Sequence, residues 1–388
     1  MKVGIDTIGF YTPLYYLNLK TLAQEQGVDG NKFYKNLGLN KMAITPPNED
    51  IVTMAASAAA PILSEEIKPQ INMVLFATES GLDYSKATGI YVHKLLGLNS
   101  SCRVIELKQA CYAATFGLQA AMAILRSNPQ GKILLIASDV ARYERNTSGE
   151  YSQGAGAVAM LLTAAPRLLA LEETASFYVE DTMDFWRPNY RNEPLVFGKY
   201  SCELYLRVLE KTWRQYSKLF ERKLSDHQNF CYHVPVPKLV EKAHQRLINI
   251  SKEKEIADAH LSLIYSREVG NCYTASLYIS LLSLLENSSE DLTDNRIGLY
   301  SYGSGCSGEY FSAVVQAKYQ EVLKKDYHQN LFLTRTELSF QKYLDFYNFT
   351  LPVNGAELRI PQYKTGKFQL HAFKEHKRIY GSCAEETI

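Results

Sequence analysis

A cysteine stands where the run Glu106-Leu-Lys-Gln-Ala-Cys111-Tyr-Ala-Ala-Thr-Phe-Gly117 passes from polar extended chain into small helix-forming residues. A helix that opens there presents unpaired N–H groups and the positive end of its dipole, which favour a thiolate and suit Cys111 to nucleophilic attack. The same run would also accommodate the thiol as a small buried filler. Glu79 closes the apolar pattern Val74-Leu-Phe-Ala-Thr-Glu79, so its carboxylate emerges at the C-terminal edge of a strand. Apolar walls raise a carboxylate's pKa and equip it to take a proton from carbon near neutral pH, with helix capping or a surface position as the plainer role. His233 precedes Val-Pro-Val-Pro, whose prolines stiffen the backbone and fix the imidazole's direction, as an acid or hydrogen-bond donor requires.

Two further runs concentrate unusual residues. Ser301-Tyr-Gly-Ser304-Gly-Cys-Ser-Gly308 formally contains a Gly-x-Gly-x-x-Gly pattern, but the following Glu309-Tyr-Phe-Ser-Ala-Val-Val is β-like and no ribose-binding acid follows in a first βαβ unit. A glycine turn whose N–H groups cradle an oxyanion or a thioester carbonyl fits better than a dinucleotide site, and a plain tight turn remains open. No Gly-x-Ser-x-Gly elbow is present, which removes the main support for a serine hydrolase. Asp184-Phe-Trp-Arg187-Pro188 places a tryptophan, a charge pair and a proline in a short loop. Packing accounts for Trp186; Asp184 is open.

The elements that must position these groups occur twice in the same order. A strand over 72–78 ends at Glu79, a helix opens at Cys111, and strands follow at 132–138 and 156–162. A strand over 229–232 then ends at His233, a helix opens at Asn271, and strands follow at 296–301 and 310–315. From strand end to helix opening the spacing is 32 residues in one half (79 to 111) and 38 in the other (233 to 271). Strands alternating with helices indicate a layered α/β fold, and two such halves bring Glu79, Cys111, His233 and Asn271 together around a pseudo-twofold axis. Between the halves, 182–228 reads as a covering element: a Pro/Gly-punctuated loop, then an amphipathic helix over 201–219 with Leu204, Leu206, Val208, Leu209, Trp213 and Tyr216 apolar. Beyond Leu323 the pattern suggests strands near 331–333 and 367–373 but no chemistry.

Composition narrows the partners. The chain has 388 residues, with 42 basic against 41 acidic ones and a net charge of +1, so no global field draws it to nucleic acid or to a membrane surface. The opening Met-Lys-Val-Gly-Ile-Asp-Thr-Ile-Gly-Phe lacks the apolar core of a signal peptide, and a cytoplasmic protein is expected. Seven dispersed cysteines, odd in number and free of Cys-x-x-Cys pairs, argue against a disulfide framework and against structural zinc.

Taken together these segments resemble the 3-hydroxy-3-methylglutaryl-CoA synthase family, in its bacterial type. The likeness runs from Val3 to about Gln316 through Asp50-Ile-Val, Ala77-Thr-Glu79-Ser, Ala110-Cys111-Tyr-Ala-Ala-Thr, Ala141-Arg-Tyr, Gln153-Gly-Ala-Gly-Ala-Val-Ala-Met, Glu180-Asp, Asp184-Phe-Trp-Arg-Pro, His233-Val-Pro, Gly270-Asn-Cys-Tyr-Thr and Ser301-Tyr-Gly-Ser-Gly. It implies an α/β thiolase-like fold of two pseudo-duplicated βαβ-rich halves in α-β-α-β-α layers. Residues 1–166 would carry Glu79 and Cys111, and residues 167–388 would carry His233, Asn271 and Ser304, with the covering insertion around 182–228.

Position by position, the resemblance implies that Cys111 takes the acetyl group, that Glu79 is the general acid/base and that His233 contacts acetoacetyl substrate. Substrate contacts are implied for Asp29, Ser201, Asn271 and Ser304. Lys238 and Lys242 are implied on the coenzyme A side, and Ser152 stands where the family pattern calls for threonine. The implied reaction joins acetyl-CoA, held as acetyl-Cys111, to acetoacetyl-CoA and water, giving HMG-CoA and CoA in the mevalonate pathway. Coenzyme A thioesters are then substrates, no metal or redox cofactor enters, and a homodimer is expected by analogy. Three rivals stand beside this: a β-branching synthase acting on acyl-carrier-protein substrates, a ketoacyl synthase using Cys111, His233 and Asn271 without Glu79, and a non-catalytic acyl-binding protein.

Overall fold

The computed structural model describes residues 1–253 and 256–383, at 32–34 through the backbone alone. Stretches such as Ile133-Leu-Leu-Ile-Ala137 and Val158-Ala-Met-Leu-Leu162 are apolar at every position, as strands covered by helices on both faces must be, and every one of these residues is buried. They belong to a nine-stranded mixed sheet formed by β1 (Val3–Tyr11), β2 (Ile71–Ala77), β3 (Arg103–Leu107), β4 (Lys132–Ala141), β5 (Gly154–Ala164), β6 (Leu169–Val179), β7 (Asn229–Tyr232), β8 (Arg296–Gly303) and β9 (Ser307–Val315). The spatial order is β7-β8-β9-β6-β1-β5-β4-β2-β3.

That order contains the repeat. In the first half β2 runs parallel to β4, β4 antiparallel to β5, and β5 antiparallel to β1. In the second half β7 runs parallel to β8, β8 antiparallel to β9, and β9 antiparallel to β6. The edge strand β3 has no partner element in the second half among the described residues. The two first strands meet antiparallel at Gly4↔Ala170 and Ile5↔Leu169, as strands related by a dyad do. A Cβ on Gly4 would lie 2.0 Å from the Leu169 carbonyl oxygen, so only glycine permits this seam.

Five helices complete the layers: α1 (Ile51–Ala59), α2 (Ala113–Ser127), α3 (Gly198–Phe220), α4 (Pro237–Ser251) and α5 (Ser276–Asn287). Helices α2 and α5 form the middle layer; Thr115 Oγ1 on α2 donates to Ser301 Oγ on β8 at 2.8 Å and lies 3.0 Å from the Tyr278 hydroxyl on α5. Helix α1 covers the outer face of β1, β4 and β5, entered through an Asp50–Thr53 capping box and covered in turn by the hairpin Phe368–Lys374 and Lys377–Ser382. On the other outer face α3 lies on β6 and β9 with α4 beside it, burying Leu204, Tyr205, Val208, Leu209, Trp213 and Tyr216 at helical spacing. The result is an α-β-α-β-α stack.

Two sequence expectations are corrected. The strand expected at 331–333 is the end of a helix, Lys325–Leu333, in which His328 and Leu331, three apart, face the core; His328 Nδ1 meets Glu286 Oε1 at 2.7 Å and its Nε2 accepts from the Phe10 N–H at 3.1 Å. Neither chemistry-bearing helix opens on its marker residue: α2 begins two residues after Cys111, and a single 3₁₀ turn, Tyr273–Ala275, separates Asn271 from α5. The strand expected over 367–373 is present as Phe368–Lys374.

Candidate active site

Beyond the end of β2 the chain is pinned by Asp139, a carboxylate buried on β4. Its Oδ1 accepts from Thr78 Oγ1 (2.7 Å), Glu79 N (2.9 Å) and Ser80 N (3.0 Å), and its Oδ2 accepts from the backbone and hydroxyl of Thr274, in the turn that leads into α5. One side chain thus fixes the Glu79 turn of the first half to the Asn271 turn of the second. So held, Glu79 Oε1 accepts from Cys111 Sγ at 2.9 Å. The thiol sits in a tight turn in which Tyr112 N donates to Gln109 O (3.1 Å) and Ala110 has φ +43°. Gly303, at the end of β8, presses on that turn: a Cβ there would come 2.6 Å from Gln109 O and 2.7 Å from Tyr112 N. The glycine run read from sequence is a strand–turn–strand connection, and no helix follows it.

Electrostatics departs from the sequence reading at Cys111. Withdrawal from water, followed by the adjacent Glu79 carboxylate, holds the thiol well above its ordinary pKa of 9.0, outweighing the help of its own N–H. Glu79 is pushed up to about 8, by burial first and by the charge of Asp139 second, against the thiol hydrogen bond and the Arg187 cation. Both residues are half-buried. The resting pair is therefore neutral near pH 7. It becomes a base–nucleophile pair when one proton is lost.

An aromatic wall encloses the thiol. Tyr143, Tyr273 and Phe185 form a triangle with ring centroids 5.8–6.4 Å apart, and Cys111 packs against it. Tyr143 reaches the side chains of Ser152 and Tyr273. The Ser152 carbonyl accepts from Asn271 N at 3.0 Å, while Asn271 Oδ1 takes Tyr273 N (2.9 Å) and Ser276 Oγ (3.1 Å) and thereby shapes the entry to α5. His233 follows β7 as Glu79 follows β2. Its N–H donates to Tyr300 O at 2.7 Å, its carbonyl accepts from Tyr205 at 2.8 Å, and its ring is buried 6.5 Å from the Tyr205 ring. Burial pushes the imidazole down to about 3, so at neutral pH it is uncharged.

Ser304 and Ser201 are joined through Asp184, a second fully buried carboxylate. It accepts from Ser201 Oγ (2.9 Å), Tyr302 OH (2.7 Å) and Gly305 N (2.9 Å), and the Ser304 carbonyl takes Gln109 Nε2 at 3.2 Å, which ties this turn to the nucleophile's. Asp29, Lys238 and Lys242 stand apart from the thiol. Asp29 is exposed and accepts from Asn31 N (3.0 Å) ahead of the helix Asn31–Leu37, which packs on α4. Lys238 pairs with Glu241 on α4, and exposed Lys242 lies close enough to Cys202 for its charge to favour that thiolate. Lys238 and Lys242 lie on α4, and Asp29 lies just ahead of the helix that packs against it. Sequence reasoning left Asp184 open and missed Asp139, although an acid inside the apolar strand Lys132–Ala141 was a signal, and it missed the roles of Tyr143 and Tyr273, whose contacts are formed by distant segments.

A thiol hydrogen-bonded to a carboxyl, at the seam of two like-ordered halves in a thiolase-like stack, defines a condensing enzyme of the acyltransferase class, which carries an acyl group on sulfur and works on the carbon beside it. The chain belongs to the hydroxymethylglutaryl-CoA synthase family. The family models "Hydroxymethylglutaryl-coenzyme A synthase N terminal" and "C terminal" match residues 1–166 and residues 169–254 and 244–352. Hydroxymethylglutaryl-CoA synthase of Enterococcus faecalis is 42% identical over 355 residues, covering 90% of this chain and 93% of its own. A polyketide-biosynthesis 3-hydroxy-3-methylglutaryl-ACP synthase of Bacillus subtilis (strain 168) is 32% identical, covering 88% and 87%. A crystal structure of an HMG-CoA synthase complexed with CoA superposes with a TM-score of 0.95 at 41% identity, over 99% of this chain and 100% of that one.

Proposed function

We propose that the chain condenses acetyl-CoA with acetoacetyl-CoA and water to give HMG-CoA and CoA, through acetyl-Cys111. The observation that carries this is the 2.9 Å contact between Cys111 Sγ and Glu79 Oε1. As the sulfur attacks the acetyl thioester, its proton passes to Glu79 and on to the departing CoA sulfur. Glu79 then takes a proton from the methyl of acetyl-Cys111, and the enolate attacks the ketone carbon of acetoacetyl-CoA while the neutral His233 hydrogen-bonds the oxygen that becomes the tertiary alcohol. The proton removed from the methyl returns from Glu79 to that alkoxide. Water finally cleaves the enzyme thioester and restores the thiol. Every proton has a donor and an acceptor among these side chains, so the scheme calls for no resident metal or redox cofactor.

Asn271, Ser201 and Ser304, with Ser152 behind the aromatic wall, frame the acyl groups, and Asp29, Lys238 and Lys242 meet the coenzyme A portion. The stronger likeness to a CoA-dependent synthase than to the carrier-protein enzyme favours free CoA thioesters over acyl-carrier protein. Steady-state assays with acetoacetyl-CoA and acetoacetyl-carrier protein test the choice: a higher kcat/KM for the CoA substrate is expected, and a large preference for the carrier overturns it. The ketoacyl synthase alternative loses ground because it leaves the Glu79 carboxyl without a task. Acetyl mass on Cys111 after incubation with acetyl-CoA, absent from Cys111→Ser, separates an enzyme from a mere binder.

The edge strand β3 with exposed Ile105, Phe116 of α2, and Phe177 and Val179 of β6 offer an apolar face for a second copy, and sedimentation showing only monomer would remove that homodimer. Among the described residues no helix is long and apolar enough to cross a membrane, and no disulfide links the cysteines; both suit a cytoplasmic enzyme.

A further inference from the structure

The run Asp184-Phe-Trp-Arg187 follows β6 of the second half, yet its side chains reach three parts of the site. Asp184 holds the Ser304 turn through Gly305 N and Tyr302 OH, and Phe185 stands in the wall beside Cys111. Trp186 packs on Phe197 with ring centroids 5.4 Å apart, across the two-residue pairing of Phe185–Trp186 with Leu195–Val196 that closes the loop on itself. The Arg187 guanidinium Nη2 donates to the backbone carbonyl of Glu79. Beyond it the same segment is stitched along the first half: the Asn189 carbonyl accepts from Tyr84 OH (3.0 Å) and Glu193 from Arg142 Nε (3.3 Å).

We propose that Arg187 is a positioning residue for proton transfer: by gripping the Glu79 carbonyl from the covering segment, it couples the seating of that segment to the carboxyl that serves Cys111. This rests on Glu79 being the base. Glu79 then lies between two opposed charges, Asp139 on the strand behind it and Arg187 on the segment above it. The first disfavours its ionised form and the second favours it. Arg187 is exposed, so water screens its charge and the expected effect is modest. The grip on the carbonyl adds a geometric component that the charge alone does not supply. Without Arg187 the carboxylate should form only at higher pH and stand less squarely against the thiol.

The test is the pH profile of kcat for wild type, Arg187→Met, Arg187→Lys, Tyr84→Phe and Glu79→Gln. Arg187→Met should move the midpoint of the rising limb alkaline by about half a unit to one unit, cutting kcat three- to tenfold at pH 7, and Arg187→Lys should recover most of that shift. Tyr84→Phe removes another tie of the same segment away from Glu79 and should leave the midpoint in place. A wild-type midpoint in Arg187→Met, whatever its absolute rate, overturns the proposal, and so does an equal shift in Tyr84→Phe, which would make the effect one of general anchoring. A rising limb that survives in Glu79→Gln with its rate intact overturns the underlying assignment of the base instead, so the two failures are told apart.

Discussion

The Cys111 thiol donates to the Glu79 carboxyl across 2.9 Å, and within a site where burial dominates each shifts the other's pKa. The carboxylate makes the thiolate harder to form, because two negative charges so close in a site withdrawn from water repel strongly. Glu79→Gln therefore has two opposite effects. The amide oxygen still accepts from the thiol, but the charge that opposed the thiolate is gone, so alkylation of Cys111 by iodoacetamide at pH 8 should become several-fold faster. Condensation, which needs a base at the acetyl methyl, should fall by about 10²–10⁴. Slower alkylation in this variant would mean that losing Glu79 as the thiol's proton acceptor outweighs losing its opposing charge, and that this charge does not govern the thiolate. The helix N-terminus made Cys111 visible in the sequence; its neighbour, which sequence spacing could only suggest, sets its chemistry.

The elements explain which parts were legible. Strand ends at Glu79 and His233 could be read because an apolar run that stops at a single polar residue is a local signal, and the order strand, helix, strand, strand survives in both halves although their residues do not match. The missing counterpart of β3 and the helix over 325–333 could not be read in this way, since both depend on what covers the sheet edge and the core. Asp139 and Asp184 belong to the same class: each is defined by hydrogen bonds to residues more than fifty positions distant. Gly303 shows how closely the elements are fitted. A methyl at that position would drive the end of β8 into Gln109 O and the Tyr112 backbone, with no flexible side chain to yield. Gly303→Ala should cost about 1–3 kcal/mol of stability in denaturant titration and should lower kcat at least tenfold by displacing the nucleophile turn. Wild-type kcat in a soluble Gly303→Ala enzyme would show that the turn tolerates movement.

At the scale of the whole molecule, the segment after Leu323, to which the sequence assigned strands but no chemistry, closes over the entry to α1. Gly366 N donates to Tyr11 OH (2.7 Å), Leu370 N to Asn48 O (2.8 Å), and Tyr380 OH to Asp50 Oδ2 (2.6 Å). Beneath this clasp lies Glu49, whose Oε1 accepts from Tyr11 OH at 2.6 Å and whose Oε2 is buried with no partner among the described residues. Burial pushes Glu49 up to about 8. An unfolded chain releases this proton near pH 4.5 while the folded one retains it, so the contribution to stability is whole below pH 4.5 and is lost as pH rises to about 8, at about 1.4 kcal/mol per unit. His227 and His233, pushed down to about 4 and 3, act in the opposite sense, costing stability as pH falls below 6.5. Glu49→Gln isolates one of these effects, since the amide cannot ionise and any cost of burying its N–H₂ is the same at every pH. Relative to wild type, the variant should gain about 2–3 kcal/mol between pH 5.5 and pH 8.5 in urea unfolding, with the gain levelling off above pH 8. Parallel stability curves for the two proteins would mean that Glu49 is already ionised in the folded state, and the clasp would then have to hold a buried charge that nothing around it neutralises.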